Sequence, residues 1–346
     1  MTLSVRDFGE ADHAWADALI GGSSGGVRNV ARLGELIDPL TREGLVAELD
    51  GKQVGLLTVN ESDRGLEVLT LHSDVRGVGA GRLLLGTALE VAAASGADRL
   101  WLVTTNDNVD AIGFYLRRGL HVARVHADAV TRDRKAIKPE IPALNADNGI
   151  GLRDYVEMEA SVADGLQPVA FPLMRDLDAL PAEATAFLLR ALFEDAPRFL
   201  SRLVDARPFE TDANLIASAH DLARSLPEDE QIELLAAHPR IGADPASVSD
   251  LSHAEQGYDD PDARPDEPPD EPWIADDLEM LNDAYERIFG FRFVIFVAGR
   301  PRREIVPILE RSLRDERESE LRRGLDDVVY IAADRLARLR DGTIGA

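Results

Sequence analysis

Apolar positions along the chain change period near its middle. In the first half they fall in short alternating or continuous runs that read as strands. "GLVAELDGKQVGLLTV" (44–59) predicts two strands around an Asp50-Gly51 turn, "GLEVLTLH" (65–72) a third and "RLWLVTT" (99–105) a fourth. An Asp-Gly pair accepts the positive φ angles of a tight hairpin turn. Helical spacing is interleaved with these runs. "GRLLLGTALEVAAASGA" (81–97) sets Leu83, Leu84, Ala88 and Val91 on one face, with a glycine near its end, and "NVDAIGFYLRRGL" (108–120) reads as a short helix closing at Gly119. The first half is predicted to be a mixed α/β domain.

After about residue 170 the strand signals almost vanish. Helical periodicity runs through 181–204, 212–226, 276–290 and 318–339. In the last of these Leu321, Leu325, Val328, Ala332, Leu336 and Leu339 recur three or four apart, one apolar stripe on a long helix. An all-helical second domain follows. The stretch "YDDPDARPDEPPDEP" (258–272) is rich in proline and acid and reads as an exposed insertion within it.

A chain of 346 residues exceeds the size at which one core stops growing, in keeping with two domains. No apolar run is long enough to span a membrane. The opening "MTLSVRDFGEADHAW" carries acids where a secretory signal would carry bases and then an apolar stretch, so a soluble, cytoplasmic protein is expected. Cysteine is absent, which excludes disulfides, thiolate metal ligands and a cysteine nucleophile. A formal net charge of −25 disfavours nucleic acid and anionic membranes as partners, and an anionic ligand would need a locally basic pocket. No pair of histidines has metal-ligand spacing, so no metal site is expected. Homodimer formation is left open.

In "DVRGVGAGRLLL" (74–85), between a strand and a helix, Gly77, Gly79 and Gly81 let a ligand approach the free N–H groups of a helix N-terminus. The loop lacks the Lys-Ser/Thr of a P-loop, and its glycine spacing misses the dinucleotide fingerprint. A purely structural turn is the alternative. With the flanking strand and helix and with "TTNDNVDAIGFYLRRGL" (104–120), residues 1–160 resemble the GNAT acetyltransferase family. The resemblance implies acetyl-CoA as cofactor, its pyrophosphate cradled by Val75, Arg76, Gly77, Gly79, Ala80, Gly81 and Arg82, with Asn106 beside the cofactor arm. It also implies Tyr115 as the acid that protonates the leaving thiolate. A phenol suits that role, although Tyr115 also fits as a core tyrosine. Glu67 is a candidate to assist removal of the amine proton. "KPEIPALNADNGIGLRDYVEME" (138–159) resembles a tail of one bacterial branch, and 161–169 is expected to be a linker.

In "AAHPRIG" (236–242) the proline biases His238 away from helical angles, so a helix should end there and leave the imidazole on a loop. A histidine can take and give a proton near neutrality, as bond cleavage at an acidic carbon requires. A capping or packing histidine is the alternative. "LSHAEQG" (251–257) follows, with Ser252, Glu255 and Gln256 three and four apart on one helical face. They could orient an imidazole and bind a polar ring, or Ser252 and Glu255 could form a capping box.

Five segments, "FEDAPRFLSRL" (193–203), "HPRIG" (238–242), "SHAEQG" (252–257), "LNDAYERIFGFRFVI" (281–295) and the run from 314 to 336, occur in the order seen in one family. Residues 170–346 resemble 2-oxo-4-hydroxy-4-carboxy-5-ureidoimidazoline (OHCU) decarboxylase. The resemblance implies an all-helical fold and a cofactor-free reaction that yields (S)-allantoin in urate degradation. His238 would be the acid/base and Glu255 its carboxylate. Pro239, Ser252, Gln256, Phe293, Val294 and Ile295 would line the substrate, and Arg335, with Arg317 as its competitor, would meet the substrate's polar groups. The rival reading makes acetyl transfer the principal activity and the helical domain a binding or scaffolding module.

Overall fold

A computed structural model of the chain describes residues 2–23, 28–75, 77–243 and 272–341. Arg76, Ser252, Glu255, Gln256 and the acidic stretch up to residue 271 lie outside the described residues. The chain divides into two compact units, Met1–Pro172 with Ala179–Ala184, and Leu173–Asp178 with Thr185–Ala346.

The first unit is α/β, as its patterning predicts. Its strands are β1 (Leu3–Asp7), β2 (Val30–Arg32), β3 (Glu35–Ile37), β4 (Gly44–Leu49), β5 (Lys52–Ser62), β6 (Gly65–Ser73), β7 (Arg99–Thr105), β8 (His121–His126) and β9 (Tyr155–Ser161). Its helices are α1 (His13–Ser23), α2 (Ala80–Ser95), α3 (Val109–Arg117) and α4 (Ala129–Ala136). Seven strands form one sheet in the order β1-β4-β5-β6-β7-β9-β8, and β2 pairs with β3 apart from it. The β4–β5 turn is the expected hairpin, with Asp50 and Gly51 both at positive φ.

Within the sheet, β6 and β7 pair in parallel only over Leu66–Val68 and Leu100–Leu102. Beyond that short register β6 runs on to Ser73, and the glycine-rich turn into α2 follows. The buried face of α2 is Leu84, Leu85, Ala88 and Ala92. Val91, expected on that face, is exposed and Leu83 only half-buried, because the 3.6-residue period carries the stripe through 84, 88 and 92. Removing the fully buried Leu84 side chain to alanine would cost about 2–5 kcal/mol.

Strands β8 and β9 fall outside the runs that the pattern singles out. The segment resembling a family tail supplies β9, which sits between β7 and β8 and pairs with both. Its alternation is plain: Val156, Met158 and Ala160 face the core, while Glu157 and Glu159 face the other way. The expected linker, 161–169, is part of the first unit. Val162 N–H donates to Asp98 O and Val169 N–H to Arg117 O, so this stretch is held by backbone bonds rather than hanging free.

The second unit has no strand among its described residues. Its helices are α5 (Met174–Ala179), α6 (Ala182–Phe193), α7 (Pro197–Asp205), α8 (Asp212–Ser225), α9 (Glu228–Ala237), α10 (Pro272–Phe289), α11 (Arg302–Ser312) and α12 (Arg317–Asp341). Local sequence punctuates them. Pro197 occupies the first turn of α7, where its missing N–H costs nothing, and Thr211 Oγ1 accepts from Asn214 N–H to cap α8. All six predicted stripe residues of α12 are buried, and this helix packs on α8 and α9. No helix among the described residues is long and apolar enough to cross a membrane.

Candidate active site

The histidine of the "HPRIG" segment ends α9. His238 has φ −80° and ψ 144°, an extended conformation imposed by the following proline, and its N–H still donates to Leu235 O at 3.2 Å. The rest of the segment fixes this turn. Arg240 pairs with Glu286 (2.6 Å) and Asp283 (3.0 Å) of α10, and Asn282 of α10 donates to Ile241 O at 3.1 Å. Gly242 has φ +80°, and a Cβ there would come within 3.1 Å of Leu278, so glycine permits the close approach of α10. Arg292, just past α10, donates to Ala236 O and His238 O, two carbonyls at the end of α9.

His238 is 2% exposed and lines a narrow cavity of about 50 Å³. Its Nδ1 lies 3.1 Å from Leu234 O. A carbonyl only accepts, so Nδ1 carries the proton and Nε2 presents its lone pair. Nε2 is buried with no hydrogen-bond partner among the described residues. Burial first, and then the positive charge of Arg335, push the imidazole from its ordinary 6.5 down to about 4, with Glu194 opposing and Arg292 adding to the fall. At neutral pH His238 is therefore an uncharged base.

Two elements complete the cavity. One is the extended segment after α10, where Phe293, Val294 and Ile295 are buried and supply the apolar wall. Arg323 holds that wall from α12 by donating to Val294 O at 2.8 Å, and its guanidinium lies 4.7 Å from the Phe293 ring centre. The other is α12 itself, which contributes Ile331, Asp334, Arg335 and Arg338. Arg335 is 1% exposed and makes a 2.9 Å ion pair with Glu194. Arg317, the competing candidate, is elsewhere, bonded to Glu228 (2.7 Å) and Phe289 O (2.8 Å).

Of the expected residues, His238, Pro239, Phe293, Val294, Ile295 and Arg335 thus meet around one cavity. Glu194, Arg292, Asp334 and Arg338 were missed. For Glu194 the signal was a charged residue at the point where a helix must stop before Ala196-Pro197.

The α/β unit presents a different surface. Gly77 (φ +80°) and Gly79 (φ +85°) hold the turn before α2 in left-handed backbone, and a Cβ at Gly77 would meet nothing within 4 Å. The N–H groups of Ala80, Gly81 and Arg82 open α2 and have no carbonyl one turn earlier in the helix. Val75 is exposed, its carbonyl accepting from Ser73 Oγ at 2.9 Å. Arg118 lies over the ring of Phe114, which in turn lies beside Gly81. Burial, together with its basic neighbours Arg82 and Arg117, lowers the Arg118 guanidinium's pKa. This locally basic group beside a helix N-terminus suits an anion in an otherwise acidic chain, and Arg118 was not among the expected residues.

Two of the expected side chains here, Asn106 and Glu67, are engaged. Asn106 is fully buried, and its amide donates to Gly151 O (2.8 Å) and accepts from the N–H groups of Arg153 (2.9 Å) and Asp154 (3.0 Å). It therefore pins the loop before β9. Glu67, fully buried on β6, forms a two-pronged ion pair with Arg32 and accepts from Asn60 at 3.3 Å. Tyr115 is buried on α3, and burial holds its phenol well above the ordinary range, so it keeps its proton.

Residues 178–337 match OHCU decarboxylase, and residues 22–120 match the acetyltransferase (GNAT) family. The first match falls on the helical half and the second within the α/β half. A 2-oxo-4-hydroxy-4-carboxy-5-ureidoimidazoline decarboxylase of Halalkalicoccus jeotgali is 28% identical over 173 residues, 49% of this chain and 94% of that protein. Two Bacillus subtilis proteins match over shorter stretches. The uncharacterized protein YdhI is 40% identical over 106 residues, 31% of this chain and 65% of its own length. The uncharacterized protein YxbD is 38% identical over 117 residues, 34% of this chain and 72% of its own length.

Proposed function

We propose that the helical half decarboxylates 2-oxo-4-hydroxy-4-carboxy-5-ureidoimidazoline to (S)-allantoin without a cofactor. The observation that carries this reading is the His238 Nε2 lone pair, buried and unbonded among the described residues, in a cavity shared with Arg335. Loss of CO2 leaves an electron pair that the neighbouring unsaturated group of the ring can hold. The protein then has to receive the carboxylate, accept a proton as the bond breaks and return one to a single face. Arg335 suits the first task, since a guanidinium fork can hold two oxygens at once. His238 suits the others, because its tautomer is set by Leu234 O, its Nε2 has no partner among the described residues and its ring lines the cavity. Phe293, Val294 and Ile295 keep the ring in an apolar, water-poor wall. Glu255, Ser252 and Gln256 are proposed to complete the site.

For the α/β half we propose acetyl-CoA binding on the turn from Val75 to Arg82, followed by acetyl transfer to an amine. Acetyl-CoA would supply the activated acyl group. The backbone N–H groups at the start of α2 would hold its pyrophosphate, and Tyr115, kept protonated by burial, would be the proton source for the thiolate. Freshly generated ureidoimidazoline tests the first assignment. The expected result is faster ultraviolet decay and optically active allantoin, and an unchanged decay rate with racemic product refutes it.

A further inference from the structure

We infer that Glu194 is a positioning residue of the decarboxylation site, where its carboxylate holds the Arg335 guanidinium at the cavity wall and offsets its charge beside His238. This inference rests on the function proposed above. Glu194 follows the last residue of α6 and has φ +57°, a left-handed conformation that glycine usually fills at a helix C-terminus. Its N–H donates to Arg190 O at 2.9 Å, so it closes the helix as a glycine would. Its side chain does what a glycine could not. Oε1 lies 2.9 Å from Arg335 Nη2, and Arg335 Nη1 lies 3.3 Å from Leu192 O of the same helix end. The end of α6 is thereby a receptor for one guanidinium, built from a carboxylate and a carbonyl left without an intrahelical partner.

Arg335 is 1% exposed, and a cation that deeply buried needs an opposite charge. It also borders the cavity together with His238. Among the described residues, the charged groups around His238 come from four places. They are Arg335, Asp334 and Arg338 on α12, Glu194 after α6, Arg292 after α10, and Arg240 on its own segment, which is turned to Glu286 and Asp283. Asp334 is paired with Arg338 at 2.8 Å. Among the described residues Glu194 is thus the carboxylate that faces both Arg335 and His238, and it opposes the depression of the imidazole that Arg335 causes. A charged residue in a backbone conformation better suited to glycine marks a place where the side chain is needed.

The test uses the full chain carrying labelled histidine, with the His238 resonance assigned by its loss in His238→Asn. In Glu194→Gln the His238 titration should move to lower pH, because a negative charge that favours the imidazolium has gone. KM for ureidoimidazoline should rise about tenfold or more, with kcat less affected, as the guanidinium loses its fixed position. Glu194→Gly relieves the left-handed backbone while removing the carboxylate, so it should stay folded and show the same two changes. Glu194→Asp should recover part of the loss. An unchanged titration and KM in folded Gln and Gly variants overturn the inference. A wild-type protein inert toward the substrate overturns the proposed function instead, and the titration alone then decides the role of Glu194.

Discussion

In the helical half, the atom suited to chemistry is buried but unbonded: His238 Nε2 has no partner among the described residues, and His238 lines a cavity. In the α/β half two buried polar side chains are closed, Asn106, just past β7, on backbone of the loop before β9 and Glu67 of β6 on Arg32. What the α/β half leaves open is main chain, in the turn around Gly77 and Gly79. The contrast separates two ways of building a site. Proton transfer requires one side chain with its tautomer fixed and its other atom kept free. An anion cradle requires only backbone N–H groups and room to reach them.

The largest effect that would sharpen this comparison is on His238→Asn, which should lower decarboxylation by on the order of 10²- to 10⁴-fold while the far-ultraviolet circular dichroism is retained. Full turnover in that variant would put the histidine outside the chemistry. Next comes Glu67→Gln, which leaves the buried Arg32 guanidinium with only the exposed Glu35 carboxylate, 3.4 Å away, as an ion-pair partner. The α/β half should lose about 3–5 kcal/mol, read as an earlier transition in denaturant. An unchanged midpoint, with acetyl transfer lost, would instead make Glu67 an open base and erase the contrast.

Gly79→Ala forces a side chain into φ +85°, at a cost of about 1–2 kcal/mol, and should weaken acetyl-CoA binding by about tenfold in calorimetry. Undetectable binding by the wild-type chain would make the turn a structural one. The smallest effect at neutral pH is the titration of His238. Its folded value, about 4, lies below the ordinary 6.5, so between those values the unfolded chain binds the extra proton. Stability contributed by this residue is therefore lost as pH falls from 6.5 toward 4 and levels off below. The acid limb of kcat/KM should lie near pH 4, and a limb near 6.5 would mean that the imidazole is not desolvated as described.

Much of this was legible in the sequence where one local rule decides the outcome. The Asp50-Gly51 hairpin follows from turn chemistry, the six-residue stripe of α12 from helical period, and the end of α9 from Pro239. Long-range pairing was not legible. Nothing near Asn106 in the chain announces that residues 151–154 will occupy its amide, and nothing near Glu67 announces Arg32, 35 residues earlier. Glu194 was hidden for the same reason, its partner lying in the last helix. Strand β9 is a different case: the alternation of Tyr155–Ser161 was present, but its place inside the sheet depends on strands far away in sequence.

That interior position of β9 has a consequence for how the chain emerges during synthesis. Residues 3–126 contain six of the seven sheet strands, yet β8 has no neighbour until 155–161 slides in between it and β7. A nascent chain halted at residue 120, where the family match stops, would expose the raw edge of β7. Any attempt to express the α/β half alone should therefore run past Ser161 and keep Val162 and Val169, whose amides fasten the closing strand's exit.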